Sequence, residues 1–198
     1  MLWDHATKIQ VTLSTEADVR GVPKSDKEGY AQRLVAKASP LLIANRLRTD
    51  TVRVSACYAP EPLLGSAWTP VAPRSPHPKF RQALCAWWNS TPGILTLLNA
   101  RAKALDYTRF ALQSLRSLFV RDPEEADIEP LAEAFAKCRN EELLPWPRLH
   151  ECAVRGVLHQ AAARVLRIDG LTVADWRERI ARERTISGNP IRESTQRA

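Results

Sequence analysis

An apolar helical run that breaks at one fixed point constrains this chain most. From Lys79 to Trp88, the residues Phe80, Leu84, Trp87 and Trp88 fall at i, i+4, i+7 and i+8. That spacing lines one side of a 3.6-residue period and predicts a well-buried helix, entered from Pro78. Asn89-Ser90-Thr91-Pro92-Gly93 interrupts it, and an apolar run resumes through Ile94-Leu95-Thr96-Leu97-Leu98. Asn89 and Ser90 can satisfy backbone groups that a helix end leaves open, and Thr91 ahead of Pro92 can cap the next helix. Two helices therefore follow each other across a tight polar turn. Trp87 and Trp88 could stack on an extruded base, but their place on the apolar stripe assigns them to the core.

Upstream, the patterns are those of short strands. Ile9-Gln10-Val11-Thr12-Leu13 alternates with period two and predicts a half-buried strand after Trp3. Gly21, Pro23, Lys24, Ser25 and Asp26 mark a loop, and Tyr30 to Ala38 fits a short helix stopped by Ser39-Pro40. Leu41-Leu42-Ile43-Ala44 suits a buried strand. Thr51 to Ala56 alternates again, which predicts a hairpin turning at Thr49-Asp50 with Arg46, Arg48 and Arg53 on its outer face. After Pro60 and Pro62, Leu63 to Trp68 reads as one more strand, and Pro70 to Pro78 as a surface loop. From Asp127 the character turns helical, with helices expected over Ile128–Cys138, His150–Leu166 and Val173–Arg184. The fold class expected is α+β: a small mixed sheet with packed helices over 1–123, then a helical tail over 124–198.

The length of 198 residues suffices for a domain with a real core and a helical appendage. No apolar run approaches the roughly 20 residues that span a bilayer, and the N-terminus lacks a signal-peptide core. A cytoplasmic protein without membrane attachment is expected. Cys57, Cys85, Cys138 and Cys152 form no CxxC pair and read as buried, reduced thiols. His5, His77, His150 and His159 lie far apart, so no metal site is expected. The net charge is +7, unevenly placed. Residues 1–120 hold 16 Lys and Arg against 8 Asp and Glu, whereas 121–198 hold 13 against 14. Phosphate neutralisation would need such an excess, although many basic proteins bind nothing anionic.

Several stretches taken in order carry a family resemblance: Trp87 to Gly93, the basic Arg101-Ala102-Lys103, Leu105-Asp106-Tyr107, a short helix through Leu118, and the exit Phe119-Val120-Arg121-Asp122-Pro123. This order resembles the second half of the target recognition domain of adenine-specific DNA methyltransferases and restriction specificity subunits. Glu141 to Pro145, Ala153-Val154, Leu166-Arg167-Ile168 and Trp176 to Glu183 resemble the helical tail of large single-chain members, so the likeness covers about 39–185. The resemblance implies a module that reads double-stranded DNA and performs no chemistry itself. It implies DNA contact by Arg101, Lys103, Tyr107 and Arg109 in the inter-helix loop; Arg46, Arg48 and Arg53 on the predicted hairpin are second-rank candidates. Arginine can bond guanine in bidentate fashion or hold a phosphate, and lysine usually does the latter. A solvated basic loop is the bland alternative.

What such a family would add for catalysis has no counterpart here. An S-adenosylmethionine-dependent adenine methyltransferase needs a glycine-rich loop and an Asn/Asp-Pro-Pro-aromatic tetrapeptide; Asn189-Pro190 is followed by Ile191-Arg192. No Walker loop or GxSxG is found, and Asp122-Pro123-Glu124-Glu125 lacks a lysine at nuclease spacing. The expectation is no enzyme activity and no cofactor, with S-adenosylmethionine left to a separate catalytic domain or partner. A fragment, a split subunit or a gene remnant would each fit, and a methyltransferase or restriction subunit is the expected protein partner. The rival from another class is a protein-interaction module whose helical tail docks a partner subunit.

Overall fold

The computed structural model describes residues 1–2, 8–22, 24–75, 77, 79–101, 108–116, 118, 127–183 and 186. Trp3, Pro78, Lys103, Tyr107 and the boundary expected at 123/124 lie outside them. A 3-10 turn at Ser25–Lys27 leads into α1 (Glu28–Val35), which has no buried residue. The chain then enters β1 (Ser39–Ala44), where Leu41, Leu42, Ile43 and Ala44 are all buried, as a central strand requires. Next come β2 (Arg46–Leu47), β3 (Ala56–Leu63) and β4 (Trp68–Pro70). The main sheet has the order β3-β1-β4, with both pairings antiparallel.

The helices follow: α2 (Phe80–Asn89) and α3 (Thr91–Ala100) in tandem, then the short β5 (Thr108–Arg109) and α4 (Leu112–Arg116). The tail holds α5 (Glu129–Cys138), a 3-10 turn at Trp146–Glu151, α6 (Ala153–Leu166) and α7 (Gly170–Arg182). The fold is α+β, and the ladders among the described strands are antiparallel where a mixed sheet was expected.

Four local expectations change. Ile9–Leu13 forms no strand: the buried Gln10 donates from Nε2 to the carbonyls of Thr12 (2.5 Å) and Ser14 (2.8 Å), which curls the segment. The partner strand of β1 is β3, which starts only at Ala56 opposite Ile43, whereas Thr51–Val54 alternates in burial but joins no strand. Val52 and Val54 are fully buried there, but Val52 N–H bonds the Arg48 carbonyl and the Val52 carbonyl accepts from Trp146 N–H. The strand read over Leu63–Trp68 is instead β4, starting at Trp68, while β3 carries Pro60 and Pro62 across an irregularity, where its register with β1 jumps from Leu41–Tyr58 to Ser39–Leu63. Those prolines are exposed on an edge strand, where a missing N–H costs no ladder bond. Finally, His150 belongs to the 3-10 turn, so α6 begins only at Ala153.

The tandem helices form as read, with the cap one residue earlier. Ser90, in extended backbone, accepts from Gly93 N–H through Oγ (3.3 Å), and Pro92 follows within the first turn. One cluster of buried side chains runs from Leu2 and Leu13 through β1, Trp87 and Trp88 to Phe135, Trp146 and Leu158. Tyr58 on β3 meets Phe135 on α5 edge to face, ring centroids 5.4 Å apart, so sheet and tail share this core. All four cysteines are buried and unpaired, and burial pushes the Cys57 and Cys85 thiols up, away from the reactive thiolate. Among the described residues no helix is long and apolar enough to cross a membrane.

Candidate nucleic-acid interface

Asn45 breaks the apolar run of β1 and sets the neighbouring geometry. Its backbone N–H donates to the Ala67 carbonyl (3.0 Å) and its carbonyl accepts from Phe110 N–H (2.9 Å). Its side-chain amide donates to the Ser66 carbonyl (3.3 Å). These bonds bring residues more than 60 positions apart into a two-stranded ladder, in which Arg46 pairs with Arg109 and Leu47 with Thr108. Side chains alternate along a strand: Leu47 and Phe110 are buried, while Arg46 and Arg109 are exposed. Directly opposite residues of an antiparallel pair share one face. Both arginine side chains therefore leave the ladder on the same face.

They flank a cleft of about 330 Å³ lined by Asn45, Arg46, Ser66, Thr69, Arg109, Phe110 and Leu112. Among the described residues no carboxylate lines it. No ion pair among the described residues engages Arg46 or Arg109. Leu112, half exposed, gives the cleft an apolar edge.

The other expected contacts are placed differently. Arg48 is tied to Asp50 by a two-pronged bond (3.3 and 3.1 Å), and Arg53 pairs with Glu142 of the tail. Both cations are thereby partly neutralised. Arg101 sits at the C-cap of α3 in extended backbone. Lys103 and Tyr107 lie outside the described residues. Sequence reasoning missed Asn45, Ser66 and Thr69. Only Asn45 left a trace, as the polar residue that ends an apolar run just before an arginine.

Elsewhere the tail is tied to the end of α2 and to the segment before β3 through a buried cation. Arg155 on α6 is fully buried and donates to the carbonyls of Asn89 (2.7 Å), Arg53 (2.7 Å) and Leu144 (3.3 Å). Burial lowers its affinity for the proton to a pKa of about 10, so it remains a cation at neutral pH. Asn89 completes the junction. Its Oδ1 accepts from Ser55 N–H (2.9 Å), and its Nδ2 donates to the carbonyls of Ala56 (2.7 Å) and Cys85 (2.9 Å). Its role is architectural, and every polar atom of its side chain is engaged.

One turn further along α6, His159 is buried with Nδ1 3.2 Å from Arg177 Nη1. A guanidinium only donates, so Nδ1 accepts and the ring is neutral. Burial, reinforced by the Arg177 charge, pushes the His159 pKa down to about 4. The unfolded ring takes up its proton near pH 6.5 and the folded one near 4. Stability from this site is therefore full above about pH 6.5 and declines as pH falls through that window. His159→Asn should remove that part of the acid loss, up to roughly 3 kcal/mol between pH 7 and 4. Urea unfolding of parent and variant at both pH values measures the difference; equal slopes would refute it. Among the described residues no cluster of His, Cys, Asp and Glu could hold a metal ion.

No family model, no curated protein and no solved structure matches this chain.

Proposed function

We propose that this chain is a double-stranded-DNA-binding module of the target-recognition type, without catalysis of its own. The observation that supports this best is the paired exposure of Arg46 and Arg109 on a cleft without a carboxylate among its described lining residues, in the part of the chain that carries the basic excess. A basic face shaped in this way attracts a polyanion and releases its counterions. A methyltransferase or restriction subunit would supply the chemistry and the S-adenosylmethionine. The rival reading, in which the helical tail docks a partner, has less room, because α5 and α6 turn Leu131, Phe135, Leu158 and Ala162 into the core.

The test is a fluorescence-anisotropy titration with duplex DNA over a salt series. Binding is expected at low salt with Kd of about 10–100 µM, weakening steeply as salt rises. The log–log salt slope should shrink by about 0.9 for each phosphate-contacting arginine removed. Arg46→Ala with Arg109→Ala is the decisive pair. Absence of any binding at low salt in that range would sink the proposal.

A further inference from the structure

We propose that Arg46 and Arg109 form a clamp for a single phosphate group, seated between them at the mouth of the Asn45–Thr69 cleft. The inference rests on the DNA reading only for the source of that phosphate.

The ladder itself poses the question. Like charges directly opposite on an antiparallel pair repel, with Cβ atoms about 4.5–5.5 Å apart. Here both residues are arginine, and neither has a carboxylate partner among the described residues. Two-residue strands offer few ladder bonds to offset that repulsion. A phosphate anion between the guanidinium groups turns one repulsion into two attractions, and each planar fork matches phosphate oxygens.

The rest of the lining suits what is attached to a phosphate. Ser66 and Thr69 contribute hydroxyl groups, Asn45 a side-chain amide, and exposed Leu112 an apolar surface for a sugar or base edge. At about 330 Å³ the cleft lies at the low end of small-ligand sites, roughly 300–1,000 Å³. That is room for about one nucleotide unit, not for a side-by-side pair. A clamp on phosphate fixes position and register and reads no base. Sequence reading, on this view, falls to other residues.

Backbone amide NMR during titration with inorganic phosphate, adenosine monophosphate and a short DNA duplex, at matched ionic strength, tests the clamp. Phosphate should shift the amides of residues 45–47, 66–69 and 108–112 selectively. Arg46→Ala and Arg109→Ala should each weaken binding about tenfold or more, as expected for loss of a charge-assisted hydrogen bond. Arg46→Glu should abolish phosphate binding and yet melt at or above the parent temperature, because it replaces a repulsive cross-strand pair with an attractive one.

Shifts elsewhere on the surface, alanine variants that titrate like the parent, or an Arg46→Glu variant that melts below it would each overturn the clamp. Duplex binding that the double alanine variant leaves unchanged would overturn it too, while sparing the DNA reading. Phosphate and mononucleotide binding at the cleft without duplex binding would uphold the clamp, assign it a free nucleotide, and end the DNA reading.

Discussion

Arg155→Met is expected to lower the unfolding free energy by roughly 3–5 kcal/mol. Exchanging a buried ion pair for apolar residues is often harmless, because both charges leave together. This site differs. The partners of Arg155 are three backbone carbonyls, those of Asn89, Arg53 and Leu144, and no substitution at 155 removes them. The Asn89 carbonyl stays buried without its donor, at about 1–3 kcal/mol, and those of Arg53 and Leu144, partly buried, lose theirs as well. Asn89 is also the last residue of α2, where carbonyls carry the negative end of the helix dipole. That partial charge helps to replace a counter-ion, and methionine forfeits it. Arg155→Lys keeps a cation but cannot reach three carbonyls with a fork, so an intermediate loss is expected. Equilibrium denaturation of the two variants measures both losses, and a methionine variant as stable as the parent would refute the account.

Gly93→Ala is the second large effect, about 3 kcal/mol or more. A Cβ at Gly93 would lie 1.9 Å from the Trp87 carbonyl oxygen, 2.6 Å from its carbon and 2.7 Å from Trp88 Cα. The obstacles are backbone atoms of a buried helix, which cannot rotate aside as a side chain can. Relief requires α2 and α3 to part where Ser90 caps the second helix and bonds the last turn of the first. A thermal melt of the alanine variant within a degree or two of the parent would show that the junction yields more easily than its packing implies.

The helical half of this fold was legible because its code is local. Phe80, Leu84, Trp87 and Trp88 announce α2 by spacing alone, and Asn89-Ser90 announces the break by capping chemistry. Alternation over Thr51–Ala56 reported the buried side, since Val52, Val54 and Ala56 are in the core, but placed Ser55 outside although it is fully buried. It misreported pairing, because the carbonyls of Val52 and Arg53 serve Trp146 and Arg155, about a hundred residues away. Period-two patterns show which side is buried and are silent on what accepts the hydrogen bonds. Ile9–Leu13 failed for a related reason: Gln10 offers its own amide to nearby carbonyls and competes with a ladder. At the candidate site, Arg46 and Arg109 were each legible as basic residues near turns. Their opposition depends on a two-residue pairing across more than 60 positions, which no local signal encodes.

The buried guanidinium of Arg155 also bears on the order of events during synthesis. Proteins usually fold unit by unit, with earlier stretches settling while later ones are still being made. In this chain, residues 53 and 89 wait for a donor that lies 66 or more positions downstream, and Ser14 waits for the carbonyl of Arg139. A nascent chain that has not yet exposed α6 therefore holds the carbonyls of Arg53 and Asn89 open and the tryptophan face of α2 uncovered. Native structure should arrive late and all at once, after the ribosome has released the stretch around Arg155. Pausing translation before that point should leave a protease-sensitive intermediate, and pausing beyond it a resistant one.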